Sequence, residues 1–315
     1  MPEINAFQKI KSLKENLGKV IRGKPGIIDL AITALLSRGH LLIEDVPGVG
    51  KTTLAHGLAK SINCSFQRIQ FTSDLLPSDV IGVTVYNQAL HSFEFREGPL
   101  FANIVLADEI NRATPKTQSA LLEAMNDRQV SVEKTTYRLP RPFMLLATQN
   151  PLEFSGTFPL PESQLDRFTM CIKMGYPDES HEREIITRSA SASSSIEALS
   201  PALTTDDVER LQALVDKVKV DEDLVGYIMA IAKATRNHRS IRLGVSPRAT
   251  MTLYKAAQAR ALVSGRDYCI PDDIKALSVP VFAHRIITAE HGAFDGTEAS
   301  TAVVEEIVSG IAVPI

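Results

Sequence analysis

The sequence predicts an α/β fold: a parallel sheet with a glycine-rich loop at the end of a buried strand, followed by an all-helical domain. Three observations carry that reading. Short apolar runs (Leu41-Leu42-Ile43, Ile104-Val105-Leu106-Ala107 and Phe143–Ala147) suit strands covered on both faces. Helical spacing stands between them, at Leu54/Leu58/Ile62 and Leu121/Leu122/Met125, and strands alternating with helices imply parallel βαβ units. Beyond residue 200 the pattern is helical, as in Val208/Leu211/Val215/Val218 and Leu224/Ile228/Ile231.

Residues 5–38 read as two helices broken by Val20-Ile21-Arg22-Gly23-Lys24-Pro25-Gly26. After the first strand comes Glu44-Asp45-Val46-Pro47-Gly48-Val49-Gly50-Lys51-Thr52-Thr53, then a helix, then a short apolar segment (Phe66, Ile69, Phe71). Residues 83–95 alternate with period two across a polar tip, a hairpin pattern, and 129–133 with 136–139 suggest a second hairpin. The Ser/Ala-rich stretch near 189–200 reads as a flexible linker. The division expected is 1–190 for the α/β domain, with a helix over 1–18, then 191–203 for the linker and 204–315 for a helical lid. Within the lid, helices are expected at Pro247–Leu262 and Asp272–Ile286.

The segment after the first strand has the chemistry of a phosphate cradle. Gly48 and Gly50 let the backbone approach phosphate oxygens. The N–H groups and positive dipole end of the next helix favour an anion. Lys51 adds a point charge for the β- and γ-phosphates, and the Thr52 hydroxyl suits Mg²⁺. Asp45 replaces the first glycine of the G-x-x-x-x-G-K-[ST] pattern, at the strand exit rather than against the phosphates. Asp108-Glu109 follows a buried strand, where Asp108 can hold Mg²⁺, partly through water, and Glu109 can polarise an attacking water. Asn150 ends the next strand, where an amide can orient the same water. Arg167 precedes another apolar strand. Ser246-Pro247-Arg248-Ala249 reads as a capped helix start, where an arginine is disfavoured by the dipole unless an anion relieves it.

The net charge of −3 creates no global field toward nucleic acid or anionic lipid, so neither partner is expected. No apolar run approaches the roughly 20 residues of a membrane span, and no secretory signal pattern opens the chain. Cys64, Cys171 and Cys269 are isolated and read as core residues in a reducing compartment. The expected location is the cytoplasm. The seven histidines show no zinc-like pairing and read as structural or surface residues.

Asp45–Thr53, Leu106–Ala113, Ala147–Pro151, Leu165–Phe168, Phe71–Asp79, Pro115–Met125 and Ser246–Ala249 together resemble the MoxR family of AAA+ ATPases across nearly the whole chain. That resemblance implies a five-stranded parallel core with hairpin inserts and a helical lid, assembled into rings, typically hexamers, with ATP and Mg²⁺ at subunit interfaces. Lys51 and Thr52 would be Walker A residues, in a cradle of Asp45, Pro47, Gly48, Val49, Gly50 and Thr53, with Val20 and Ile21 also beside the nucleotide. Asp108 and Glu109 would be the Walker B pair, Asn150 sensor 1, Arg167 the arginine finger acting on a neighbouring subunit, and Arg248 sensor 2. The resemblance further implies chaperone-like remodelling or metal-cofactor insertion in a protein client, often with a von Willebrand factor A domain partner. Two other readings share these motifs. One is a nucleic-acid translocase, kept open by Lys134, Arg138 and Arg141 on the second hairpin, though the first offers only Arg96 beside Glu94 and Glu97. The other is a slow nucleotide-switched scaffold.

Overall fold

In a computed structural model of the protein, residues 2–133, 135–151, 156–188, 196–289 and 296–314 are described. Helices α1 (Pro2–Gly18) and α2 (Pro25–Leu36) precede strand β1 (Leu41–Glu44), and α3 (Lys51–Ile62) follows it. Next come β2 (Phe66–Gln70), α4 (Pro77–Ile81), β3 (Gly82–Asn87), β4 (Ser92–Glu97) and β5 (Ile104–Asp108). They are followed by α5 (Pro115–Asp127), β6 (Gln129–Val132), β7 (Thr135–Arg138), β8 (Met144–Gln149), α6 (Glu162–Leu165), β9 (Met170–Ile172) and α7 (Glu179–Arg188).

Five strands form one parallel sheet in the order β2-β5-β8-β1-β9. Successive side chains of a strand point to opposite faces, and both faces are covered. Leu41 and Ile43 enter a core with α1, α2, α3 and the lid, whereas Leu42 faces the opposite core with Leu121, Leu122 and Phe168. The apolar runs are therefore continuous because neither face meets water.

Both hairpins form, as β3–β4 and β6–β7. They touch: the Phe95 and Tyr137 rings stack with centroids 4.2 Å apart. Phe93 and Leu90 near the first hairpin's turn stand largely exposed.

The lid contains helices Thr205–Val215, Glu222–Asn237, Pro247–Val263 and Pro271–Phe282. Three of its details depart from the sequence reading. A two-stranded ribbon, β10 (Ile241–Leu243) with β11 (Ile287–Thr288), interrupts it, and a last helix, Gly296–Gly310, closes it. The helix expected over 272–286 ends at Phe282 and tightens into a 3₁₀ turn at Ala283–Arg285. Of the expected linker, 191–195 lies outside the described residues. Its remainder is anchored: Leu199 and Leu203 are buried, the N–H groups of Ala202 and Leu203 donate to the Ser61 carbonyl, and Asn16 donates to the Ser200 carbonyl.

His40 locks the sheet to α5. Its Nδ1 accepts from the Leu145 N–H at 3.0 Å, which leaves Nε2–H to donate to the Met125 carbonyl at 3.2 Å. Burial holds the ring neutral by lowering its pKa to about 4. His284, also buried, is shifted the same way. A group that must stay uncharged in the fold stabilises fully above its ordinary value and loses that contribution as pH falls toward its folded value. His40 alone should therefore remove about 2 kcal/mol between pH 7 and pH 5, read as a lower urea midpoint. A His40→Gln chain losing as much over that interval would assign the effect elsewhere.

Candidate functional site

β1 delivers the chain into the glycine loop between its neighbours β8 and β9. Gly48 and Gly50 take φ of +86° and +100°, the left-handed region that a side chain disfavours, and nothing lies within 4 Å of where a Gly48 Cβ would stand. Gly50 caps α3, whose first-turn N–H groups have no intrahelical acceptor. Pro47 and Gly48 form the exposed rim, and Val49 is buried as the loop's anchor. Thr52 and Thr53 follow Lys51 in the first turn, half-buried. The Lys51 Nζ donates to the Asp45 carbonyl at 2.6 Å. Burial lowers its pKa, opposed by the charges of Asp45, Asp108 and Glu109. The lysine thus lies in the field of the acidic pair.

Asp45 is a structural tie. One carboxylate oxygen accepts from the Val46 N–H at 2.9 Å and the other from the Gly175 N–H at 2.6 Å. Lys24, from the turn between α1 and α2, donates to the Gly175 carbonyl. A glycine at position 45 would leave the loop unattached to the exit of β9. Val20 and Ile21 belong to the same turn: Ile21 is buried, and Val20 packs on α3 beside Gly57.

The acidic pair sits at the exit of β5 in a closed hydrogen-bond network. Arg68 donates to Asp108 through Nε (3.1 Å) and NH2 (2.6 Å), and its NH2 also reaches the Gln70 amide oxygen at 3.0 Å. The Gln70 Nε2 donates to Glu109 Oε2 at 2.8 Å. The Thr148 hydroxyl donates to Asp108 at 2.6 Å and accepts from the Glu109 N–H at 2.9 Å. Arg112 pairs with Glu109 at 3.0 Å. Glu109 itself is left-handed, with φ 58° and ψ 49°, a conformation that costs a non-glycine residue about 1 kcal/mol or more. That backbone turn separates the two carboxylates, and the surrounding bonds hold it. Asn150 leaves β8, which lies between β5 and β1, so it emerges between the acidic pair and the glycine loop.

Arg167 and Arg248 stand elsewhere. Both line a pocket of about 270 Å³ with Gly39, His40 and Thr169, at the amino ends of β1 and β9. From His40 to Asp45 the strand runs about 16 Å at its ordinary rise per residue, so the two groups occupy opposite ends of the sheet. Arg248 donates to Asn126 Oδ1 at 2.6 Å. Asp166, one residue before Arg167, accepts from Arg285 at 2.9 Å and from the helix-capping Ser246 hydroxyl at 3.0 Å. It thereby fixes both arginine-bearing segments to each other. The Arg285 side chain is 2% exposed and also donates to the carbonyls of Phe168, Val281 and Thr169. Asp166→Ala should cost about 3–5 kcal/mol by stranding that charge, measured by urea unfolding. A loss below about 1 kcal/mol would mean that the carbonyls suffice.

Arg68, Gln70, Arg112, Thr148, Asp166 and Arg285 were not singled out by sequence reasoning. Arg68 and Gln70 share one face of β2 at alternate positions beside β5, a period-two signal that could have flagged them.

Comparison with known proteins agrees with this architecture. Residues 40–170 match the family described as the ATPase family associated with various cellular activities (AAA), and residues 233–307 match an AAA lid domain. The chain is 50% identical over 301 residues to protein YeaC of Bacillus subtilis, covering 96% of this chain and 93% of that one. It is 39% identical over 305 residues to Chaperone MoxR1 of Mycobacterium tuberculosis, covering 94% and 80% respectively. A crystal structure from Cytophaga hutchinsonii, designated provisionally an ATPase, superposes with a TM-score of 0.90 at 38% identity, over 99% of this chain and 97% of that chain. With a matching core, a matching lid and relatives of this identity along almost its full length, the chain belongs to the MoxR family of AAA+ ATPases.

Proposed function

We propose that the protein hydrolyses ATP at sites shared between neighbouring copies of a ring, and that hydrolysis drives remodelling of a protein client. The observation that carries this reading is the separation of the candidate residues. Lys51, Thr52, Asp108, Glu109 and Asn150 gather at the carboxyl end of the sheet, whereas Arg167 and Arg248 lie at its amino end. One chain cannot bring its own arginines to its own loop across the length of the sheet, but a head-to-tail neighbour can.

The loop fits a polyphosphate: the space over Gly48 is open, the first-turn amides of the helix lack intrahelical acceptors, and among the described residues the Lys51 Nζ bonds only a carbonyl of its own loop. Mg²⁺, held by the Thr52 hydroxyl and by Asp108 partly through water, would neutralise charge on the phosphates. Lys51 would exchange the Asp45 carbonyl for phosphate oxygens. Glu109 would orient the attacking water, with Asn150 beside it, and Arg167 and Arg248 of the neighbour would face the transferred phosphoryl group. Asp45, Val20 and Ile21 would shape the nucleotide's surroundings, Asp45 through Gly175 and the other two from the adjoining turn.

The client reading draws on the relative named Chaperone MoxR1, and on a hairpin that presents Phe93 and Leu90 to solvent. A von Willebrand factor A domain partner and metal insertion are narrower forms of it. The test is purification of Glu109→Gln with ATP and Mg²⁺ from its host, followed by mass spectrometry and the ratio of nucleic-acid to protein absorbance. A stoichiometric protein partner is expected; nucleic acid retained in moderate salt would favour a translocase instead.

A further inference from the structure

Five cations line the pocket at the amino end of the sheet: Arg38, Arg128, Arg167, Arg248 and Lys255. The carboxylates nearby are already taken. Asp216 accepts from Arg38 and from Lys255, each at 3.0 Å, and Asp166 is held by Arg285 and Ser246. Arg128, Arg167 and Arg248 are left with no carboxylate partner among the described residues.

Arg128 is the member of this group that the proposed function does not use. It terminates α5 in the left-handed conformation (φ 51°, ψ 35°), half-buried, and its NH2 donates to the Arg38 carbonyl at 3.1 Å. Burial comes first among the causes that lower its pKa, followed by the charges of Arg38 and Arg141. A guanidinium meant only to cap a helix would gain from solvent exposure or from an acid beside it. This one is only partly exposed and is bonded to no acid among the described residues, and an anion in the pocket would relieve it. Three guanidinium groups around one cavity suit a phosphoryl group, whose charge is spread over three equatorial oxygens.

We propose that Arg128 is a third phosphate-facing residue of the intersubunit site, contacting the terminal phosphate of ATP bound to a neighbouring copy beside Arg167 and Arg248; this rests on the shared-site reading above. Asn126, which bonds Arg248, is then a positioning residue of the same cluster.

The experiment compares Arg128→Gln, Arg128→Lys and Arg167→Ala in the full chain. Turnover is measured for each alone and for each mixed with Lys51→Ala. ATP-dependent assembly is followed by sedimentation after adding each change to Glu109→Gln. Arg128→Gln should lower kcat at least 10-fold with KM changed less than 3-fold. Mixing with Lys51→Ala should restore part of the rate, because the partner supplies an intact Arg128. Arg128→Lys should fall between, keeping charge but losing the planar fork. In the Glu109→Gln background, Arg128→Gln should weaken assembly with ATP several-fold.

A merely structural role would lower turnover without rescue, because a misfolded subunit is not repaired by its neighbour, and that outcome overturns the proposal. So does normal turnover and assembly in Arg128→Gln while Arg167→Ala is impaired and rescued, a result that leaves the shared site standing. An unimpaired Arg167→Ala would overturn both. Inorganic phosphate is the control for a free anion. Binding below about 100 μM to nucleotide-free Lys51→Ala, abolished by Arg128→Gln, would make the pocket a site for dissolved phosphate and overturn the assignment to a neighbour's ATP.

Discussion

Glu109→Gln is expected to bind ATP normally and to turn it over about 10²–10⁴-fold more slowly, the ordinary worth of a positioned base. The substitution is nearly isosteric, and its amide oxygen can still accept from the Gln70 Nε2 that now donates to Glu109 at 2.8 Å. The backbone turn at φ 58° is also supported from outside the side chain, by the bond from the Glu109 N–H to the Thr148 hydroxyl. What is lost is the negative charge that would polarise water, together with the ion pair to Arg112. Among the described residues, Lys51 and the glycine loop form no hydrogen bond to this side chain, so affinity should hold. The check pairs a fluorescent-nucleotide titration with a phosphate-release assay. Unchanged affinity with turnover within about 3-fold of the original would remove Glu109 from the role.

Arg167→Ala should lower kcat about 10³-fold, the scale at which arginine fingers act, while leaving ATP affinity unchanged. No hydrogen bond or ion pair to its guanidinium forms among the described residues, so its removal strands no partner. Its neighbour Asp166 keeps Arg285 and Ser246, and the lid attachment should survive. The sharper reading comes from mixing. Lys51→Ala keeps its arginines and lacks a working loop, whereas Arg167→Ala keeps its loop and lacks an arginine. In a random equimolar ring, about one interface in four joins the intact halves. Turnover in the mixture should rise well above the sum of the two inactive samples. Complete absence of rescue, with co-assembly verified by sedimentation, would mean that Arg167 does not act on a neighbour.

Much of the core was legible because its signals are local. A glycine loop between an apolar run and a helical one spans a dozen residues, and an acidic pair at a strand exit spans six. The network around that pair was not legible. Arg68 and Asp108 lie 40 residues apart, as do Asp108 and Thr148, and only the parallel register of β2, β5 and β8 aligns them. Arg285 and Asp166 are separated by 119 residues and meet because the lid folds back on the amino end of the sheet. The ribbon of β10 and β11 escaped notice because strands of three and two residues are too short to show alternation. The last helix was missed too, although Val304, Ile307, Val308 and Ile311 stand at helical spacing: its β-branched residues carry strand propensity and masked that stripe.

The placement of the lysine at one end of the sheet and the arginines at the other also bears on the rate law. On the proposed reading each chain is half of two different catalysts, and its own abundance enters the kinetics as a reactant does. Dilution then acts as an inhibitor, lowering activity per chain with no competing ligand present. A cell could silence such a protein by reducing its copy number below the association threshold, long before the last molecule was gone.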